Sequence, residues 1–273
     1  MWKVSEICRR QVPSSGFRVR ASGSSGSGPR SEVSKLQRLP IFPLGLVALP
    51  GTSVPLQIFE ARYRVLFSTL LDGSDGIDEG LVSPDKPWRG SRRFGMVLYD
   101  SNAGGLATVG TVLEIIEHST IDDGRLLVQT VGRERFKISK IVEERPVLVC
   151  DVEMLDSEES SLEDDPKAKE LADHIGTLFR EMVKLTVKIR GSTVPDEVQD
   201  PVELRTLAPR ELSFWVASLF GGNPYNQQAL LEEDCTMKRL QVEEELLSET
   251  LKYLSAQAAV KSAFGNDSDQ TPE

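Results

Sequence analysis

The residue types that most often carry chemistry are scarce in this sequence and lie far apart. The two histidines are His118 and His174, and the three cysteines are Cys8, Cys150 and Cys235. A structural zinc site needs several such side chains at close spacing, and a disulfide framework needs an even number of cysteines. Neither pattern is present. We therefore expect no metal ion, and we expect the cysteines to be buried structural thiols.

The short motifs of nucleotide-binding and catalytic sites are also missing. The sequence has no Gly-x-x-x-x-Gly-Lys-Ser/Thr loop to hold phosphates, no Gly-x-Gly-x-x-Gly and no Gly-x-Ser-x-Gly elbow. The carboxylates of residues 155–165 have no basic neighbour, so this run is typical of a solvated linker and not of a paired acid–base site. The sequence thus predicts no catalytic residue, no cofactor and no enzyme.

Charge is distributed unevenly along the 273 residues, which carry a formal net charge of −10. Residues 1–40 contribute +6, so the rest of the chain carries −16. An acidic body repels phosphate backbones and anionic lipid surfaces, so we expect neither nucleic acid nor a membrane as partner. No run approaches the roughly 18 apolar residues that a membrane-spanning helix needs.

The first 38 residues have the composition of a targeting leader. They are rich in Arg and Ser, contain only two acidic residues, and include the low-complexity run 22–29. Arg-rich, Ser-rich and acid-poor composition is typical of organelle transit peptides. The residues around Ala21 resemble a plastid processing site, which favours a chloroplast over a mitochondrion. An ordinary disordered tail is the alternative.

Residues 39–154 are predicted to be rich in β-strands. Three prolines interrupt the apolar run 39–50, which indicates an edge or barrel-rim strand. Apolar residues at helical spacing from Phe59 to Leu70 predict one early helix, and Gly and Pro in 73–93 predict a long surface loop that contains Trp88. Five strands follow: 94–99, 106–120, 125–131, 135–143 and 147–154. The Asp-Asp-Gly at 122–124 predicts a tight hairpin. This pattern favours a small, nearly closed barrel.

Residues 166–262 are predicted to be a helical bundle, after the acidic linker 155–165 and before a polar tail, 263–273. The predicted helices run from Pro166 toward Gly191, from about Pro209, after Asn223-Pro224, and from about Glu233 to Phe264. On the last helix, Glu243, Glu244 and Glu245 are assigned to the polar side.

Three aromatic residues are the candidates for contact with a bound peptide. Trp88 lies in the long predicted loop, and Phe220 and Tyr225 flank a flexible Gly-Gly-Asn-Pro connection between two predicted helices. Burial of these rings in the core is the competing interpretation, since large aromatic side chains are mostly buried.

Several linked motifs, in order, resemble the N-terminal substrate-binding domain of Lon protease over roughly residues 39–262. The chain differs at Ala61, where the family often has Pro, and in its longer 73–93 loop. The motifs are Leu39–Leu44 (LPIFPL), Leu49–Gly51 (LPG), Pro55–Arg64 (PLQIFEARYR), Phe94–Val97 (FGMV), Val109–Thr111 (VGT), Asp123–Arg125 (DGR) and Val131–Phe136 (VGRERF).

This resemblance implies an α+β fold, with a PUA-like pseudo-barrel followed by a helical bundle. It implies a non-catalytic module that recognises unfolded or client polypeptides, or that binds a protease or chaperone, in protein quality control. The family motifs look structural, so the resemblance transfers no ligand-contacting residue; Glu60, Arg62 and Arg64 are interpreted as helix-terminus and barrel–helix pairing. It leaves the oligomeric state open.

Two other functions remain open on sequence grounds. One is a small-molecule-binding or hydrolytic enzyme with a pocket between barrel and bundle. The other is nucleic-acid binding by analogy with PUA folds, which the acidic body disfavours.

Overall fold

The computed structural model describes residues 36–100, 105–155, 165–191, 193, 195–221 and 223–264. Most of the predicted leader, the acidic segment 156–164 and the tail from residue 265 lie outside these ranges. The described residues group into two compact units. A β-rich unit holds those up to 155 together with 224–232, and a helical unit holds the remainder from 165 onward.

The β-rich unit is built on one six-stranded sheet that closes on itself. The strand order is β2-β5-β4-β3-β1-β6, and β5 also pairs with β6. The strands are β1 (Gln37–Leu44), β2 (Ser53–Ile58), β3 (Arg93–Asp100), β4 (Gly105–Thr120), β5 (Leu126–Glu143) and β6 (Leu148–Met154). Every pairing is antiparallel except that between β1 and β3. The predicted barrel and its helical companion are confirmed.

One prediction about the strands was wrong. Residues 126–143 form one long strand, whereas the sequence pattern suggested two, because the ladder with β4 continues past Gly132 with a shift in register. The first strand was expected at an edge or at the barrel rim, and it changes neighbours along its length. Residues 37–41 of β1 pair with β6 and residues 41–44 pair with β3, so each proline of β1 lies in a half with a single neighbouring strand.

A short helix, α1 (Ala61–Leu70), is anchored in the barrel by aromatic contacts. Phe67 is fully buried, and its ring centroid lies 4.9 Å from that of Phe94 and 5.7 Å from that of Phe42. The Tyr63 ring meets Phe42 edge-on at 4.4 Å. Phe59, assigned to the same apolar face, precedes the helix and is 66% exposed, because the chain is still extended at Glu60.

The helical unit contains the remaining α-helices except the one at Pro224–Glu232. Its first helix ends at Gly191, whose φ of 66° is the left-handed conformation that glycine adopts most readily. The two short helices at Asp196–Gln199 and Glu203–Thr206 were not predicted. The helices are α2 (Pro166–Arg190), α3 (Asp196–Gln199), α4 (Glu203–Thr206), α5 (Pro209–Leu219), α6 (Pro224–Glu232) and α7 (Thr236–Phe264). Among the described helices, none is long and apolar enough to cross a membrane.

Helix α6 groups with the barrel, although the sequence placed it in the bundle. The Gln228 side-chain amide donates to the carbonyl of Val109 in β4 at 3.0 Å. The guanidinium of Arg135 in β5 is 1% exposed, and it donates to the carbonyl of Leu231 at 2.9 Å. These bonds join α6 to β4 and β5 through buried polar groups.

We expect Gly132→Ala to destabilise the barrel by about 3 kcal/mol, because overpacking of a close backbone contact has no cheap relaxation. A Cβ at this position would lie 2.1 Å from the carbonyl oxygen of Leu49. At Gly105 an added Cβ meets nothing within 4 Å, so Gly105→Ala should change stability by less than about 0.5 kcal/mol. Urea unfolding of both variants measures the difference in their free energies of unfolding. Equal midpoints would contradict the close backbone contact at Gly132.

Glu243 on α7 is fully buried, which corrects its assignment to the polar side. Neither carboxylate oxygen has a hydrogen-bond partner. Burial raises the pKa of Glu243 well above its usual range, and the nearby Arg239 charge opposes this only in part. The Arg239 guanidinium instead donates to Ser213, at 2.7 Å, and to the carbonyl of Glu233, at 2.6 Å.

Because folding raises the pKa of Glu243, the folded protein holds this proton at pH values where the unfolded chain has lost it. With respect to this group, the free energy of unfolding is highest below the usual carboxyl pKa, where Glu243 is protonated in both states. It declines as pH rises above that value. Glu243→Gln should therefore increase the free energy of unfolding at pH 8 by on the order of 1–3 kcal/mol, and by less at pH 5. Thermal unfolding across this range tests it, with Glu245→Gln on the exposed face as control.

Candidate functional site

Trp88 lines a groove on the β-rich unit. Its ring is 7% exposed and packs against the barrel core, so the predicted surface loop directs this side chain inward. The groove has a volume of about 290 Å³. We call it the Trp88 groove; it is lined by Ala61, Arg62, Val65, Leu66, Thr69, Ser83, Lys86, Trp88, Glu143, Pro146, Val147 and Val149.

The walls of the Trp88 groove are apolar and its charges lie at the rim. Lys86 Nζ lies 3.8 Å from the Glu143 carboxylate and 5.4 Å from the Trp88 ring centroid. Lys86 and Glu143 are both more than two-fifths exposed, so water screens the attraction between their charges. Arg62, also in the lining, forms an ion pair with Glu60 at 2.9 Å.

Hydrogen bonds attach the segment that contains Trp88 to the C-terminal end of α1. The Thr69 hydroxyl accepts from the Ser83 N–H at 2.9 Å, and the Thr69 carbonyl accepts from the Gly90 N–H at 2.9 Å. The Arg92 N–H donates to the carbonyl of Leu70 at 3.1 Å. The groove is therefore formed before any ligand arrives, which lowers the entropic cost of binding.

The other two predicted peptide-binding residues do not line this groove. Phe220 belongs to the helical unit, where it is 7% exposed and closes the end of α5. Tyr225 belongs to the β-rich unit, on α6, and is 49% exposed. Of the three residues only Trp88 lines the groove, and their role in peptide binding stays a prediction.

Most of the groove residues were missed by the sequence interpretation. Ala61, Val65 and Thr69 follow one another at intervals of four residues, beside the apolar face that α1 buries. That spacing marks a second, shallower stripe on the helix. This spacing could have been recognised in the sequence. The sequence gives no sign that Pro146 and Val147, far along the chain, lie against this stripe.

The histidines occupy ordinary structural positions. His118 lies on β4, with a ring nitrogen 3.1 Å from the Asp75 carbonyl, and His174 lies on α2, 3.3 Å from Glu244. Across the ranges that the structure describes, no group of three or more His, Cys, Asp or Glu side chains could hold a metal ion.

A family model matches residues 38–249 of the chain, which is most of its length. The model is that of the ATP-dependent protease La (Lon) substrate-binding domain. The chain belongs to this family. Its barrel and early helix are thus the Lon substrate-binding fold, and the motifs LPIFPL and VGRERF lie in β1 and β5.

Whole Lon proteases are among the relatives in sequence. The chain is 25% identical to the Lon protease of Anaeromyxobacter dehalogenans over 234 residues, which are 85% of this chain and 26% of that protein. It is 30% identical to the Lon protease of Geobacter metallireducens over 159 residues, covering 58% of this chain and 18% of the relative. The chain therefore spans about a quarter, or less, of the length of these curated relatives.

Solved structures of Lon N-terminal domains share the fold. The Lon N-terminal domain protein from Xanthomonas campestris superposes with a TM-score of 0.52 at 22% identity, over 76% of this chain and 96% of that one. The N-terminal domain of Mycobacterium avium complex Lon protease gives a TM-score of 0.51 at 15% identity, over 78% and 98%. At these identities the likeness concerns the fold alone.

Cys150 of the Lon substrate-binding barrel is unsuited to act as a nucleophile. It is fully buried on β6, and desolvation, with the charge of Asp151, raises its pKa to about 11. The thiolate that reacts with electrophiles is therefore almost absent at neutral pH. Cys235, in the helical unit, is only half-buried.

We expect iodoacetamide at pH 8 to alkylate Cys235 in the native protein at least ~100-fold faster than Cys150, because Cys150 is both inaccessible and protonated. Peptide mass mapping after timed quenching measures the two rates. In urea the rates should converge, which serves as the control. Comparable labelling of both thiols before unfolding would contradict the burial of Cys150.

Proposed function

We propose that this domain recognises extended polypeptide segments by taking up an apolar side chain in the Trp88 groove. The observation that carries the proposal is the groove itself, with apolar walls of Val65, Leu66 and Val147, an aromatic ring at its side and charges only at its rim. Ligand sites in proteins have this composition, with few polar groups that fix orientation.

The rim suits a polypeptide better than a compact metabolite. Arg62 and Lys86 offer donors and Glu143 offers an acceptor, so a backbone that crosses the groove finds partners for both its carbonyls and its N–H groups. All three side chains are solvated and adjustable. Binding that depends on a side-chain pocket and generic backbone contacts tolerates many sequences, as recognition of unfolded clients requires.

The family supports the same class of ligand, since the matching model is named for substrate binding in a protease. We therefore propose that the chain works with a protease or chaperone that supplies the powered steps. The groove holds the client, and no residue of it needs to react.

Filling the Trp88 groove should weaken client binding at least ~10-fold, a loss of about 1.4 kcal/mol. Ala61→Trp places a large ring at the exposed mouth of the groove without cutting into the core. The measurement is fluorescence anisotropy with a labelled decapeptide that carries a central Leu-Phe pair. A second peptide with Ser at both positions reports binding that does not use the groove.

Ala256→Trp is the matched control, because Ala256 is exposed on α7 of the helical unit. It should leave the affinity for the Leu-Phe peptide unchanged. The proposal fails if wild-type protein binds the two peptides equally, or if Ala61→Trp binds the Leu-Phe peptide as tightly as wild type does.

A further inference from the structure

A second cavity of the β-rich unit lies beside the hairpin between β4 and β5. Its volume is about 380 Å³, and it is more polar than the Trp88 groove. Helix α1 contributes Arg64 and Ser68, the 73–92 loop contributes Asp78, and the hairpin contributes Thr120 and Asp122. We call it the Arg64 pocket. The function proposed above makes no use of it.

Two donors in the Arg64 pocket have nothing to bond to. Ser68 is 1% exposed, and its hydroxyl has no hydrogen-bond partner. The Nε of Arg64 is likewise buried without a partner. These residues stand four apart on α1, so their side chains lie on the same face of the helix. Buried donors without acceptors are rare in folded proteins and call for a specific explanation.

The hairpin between β4 and β5 packs closely against the Arg64 guanidinium at Gly124. Gly124 has a φ of +79°, and a Cβ at this position would lie 2.6 Å from Arg64 Nη2. The neighbouring Asp123 carboxylate accepts from the backbone N–H of Arg125 at 3.0 Å and from its Nε at 2.6 Å. Asp123 and Arg64 interact electrostatically, which helps to lower the pKa of Asp123, but Arg125 supplies the bonds to this carboxylate.

A ligand of the Arg64 pocket must offer a hydrogen-bond acceptor to Arg64 and Ser68. The other residues of the pocket limit how much negative charge this ligand can carry. A guanidinium presents donors in a planar fork that matches the two oxygens of a carboxylate. A phosphate would bring a second negative charge close to Asp78 and Asp122, which line the same pocket. Both side chains are exposed, and Asp78 already accepts from the Gly80 N–H at 2.9 Å. A ligand that carries an N–H beside its carboxylate places a further donor on this acidic side of the pocket.

We propose that Arg64 and Ser68 bind the C-terminal carboxylate of a polypeptide, while the last peptide N–H faces the acidic side of the pocket. This inference rests on the proposed function, because it takes the ligand to be a polypeptide. It adds a recognition element that depends on the chain end and not on apolar side chains. A free amino acid offers the same carboxylate, so the experiment must separate the two sources.

The test compares two forms of one fluorescein-labelled decapeptide, with a free C-terminal carboxylate and with a C-terminal amide. In fluorescence anisotropy we expect wild-type protein to bind the free acid at least ~10-fold more tightly. Arg64→Gln should remove this preference, and Ser68→Ala should reduce it several-fold. Ser68→Ala deletes only an unpartnered hydroxyl, so it folds even if the Arg64 variant does not.

Arg133→Gln is the charge-matched control. Arg133 is exposed, pairs with Glu114 at 2.7 Å and lines neither cavity, so the preference for the free acid should persist. Free leucine added as competitor should displace the peptide only at concentrations at least ~100-fold above the peptide's own Kd. If free leucine displaces the peptide at concentrations near the peptide's own Kd, the ligand of this pocket is a free amino acid and not the end of a polypeptide.

Equal binding of acid and amide, or a preference that survives both Arg64→Gln and Ser68→Ala, would overturn the inference. If acid and amide bind equally and Ala61→Trp abolishes both, the groove function stands and only the carboxylate subsite fails. If neither form binds, the proposed function and this inference fail together.

Discussion

The packing of α1 into the barrel by a cluster of four aromatic rings determines where the Trp88 groove and the Arg64 pocket lie. Phe67 contacts both Phe42 and Phe94, which also contact each other, and Tyr63 packs edge-on against Phe42 of β1. Edge-on aromatic contacts of this kind fix orientation as well as burying area. The helix is only ten residues long, so its stability depends on this packing and not on its own hydrogen bonds.

With one face committed to the core, α1 presents two others. Val65 and Thr69 line the Trp88 groove, while Arg64 and Ser68 line the Arg64 pocket. The 73–92 loop contributes to both cavities, and the Thr69 side chain and backbone hold it in place. A short helix and one tethered loop thus create two chemically different surfaces, one apolar and one polar.

Local patterns in the sequence predicted the parts of the fold that depend on local rules. The Asp-Asp-Gly hairpin, the glycine end of α2 and the proline start of α5 follow from backbone preferences at single positions. The burial of Glu243 could not be predicted, because a glutamate on a helix is assigned to water unless its surroundings are known. The same applies to Arg64, whose environment depends on a hairpin 60 residues later in the chain.

Helix α6 makes the barrel a discontinuous domain. The chain completes the sheet at Met154 and then forms four of the five described helices of the helical unit. It returns to the β-rich unit for nine residues at Pro224–Glu232 and leaves again for α7. Two covalent crossings after α5 therefore tie the units to each other, in addition to the connection after β6. A fragment that stops at residue 155 would leave the carbonyl of Val109 and the guanidinium of Arg135 without their α6 partners. The two units are therefore inseparable by any single cut of the polypeptide.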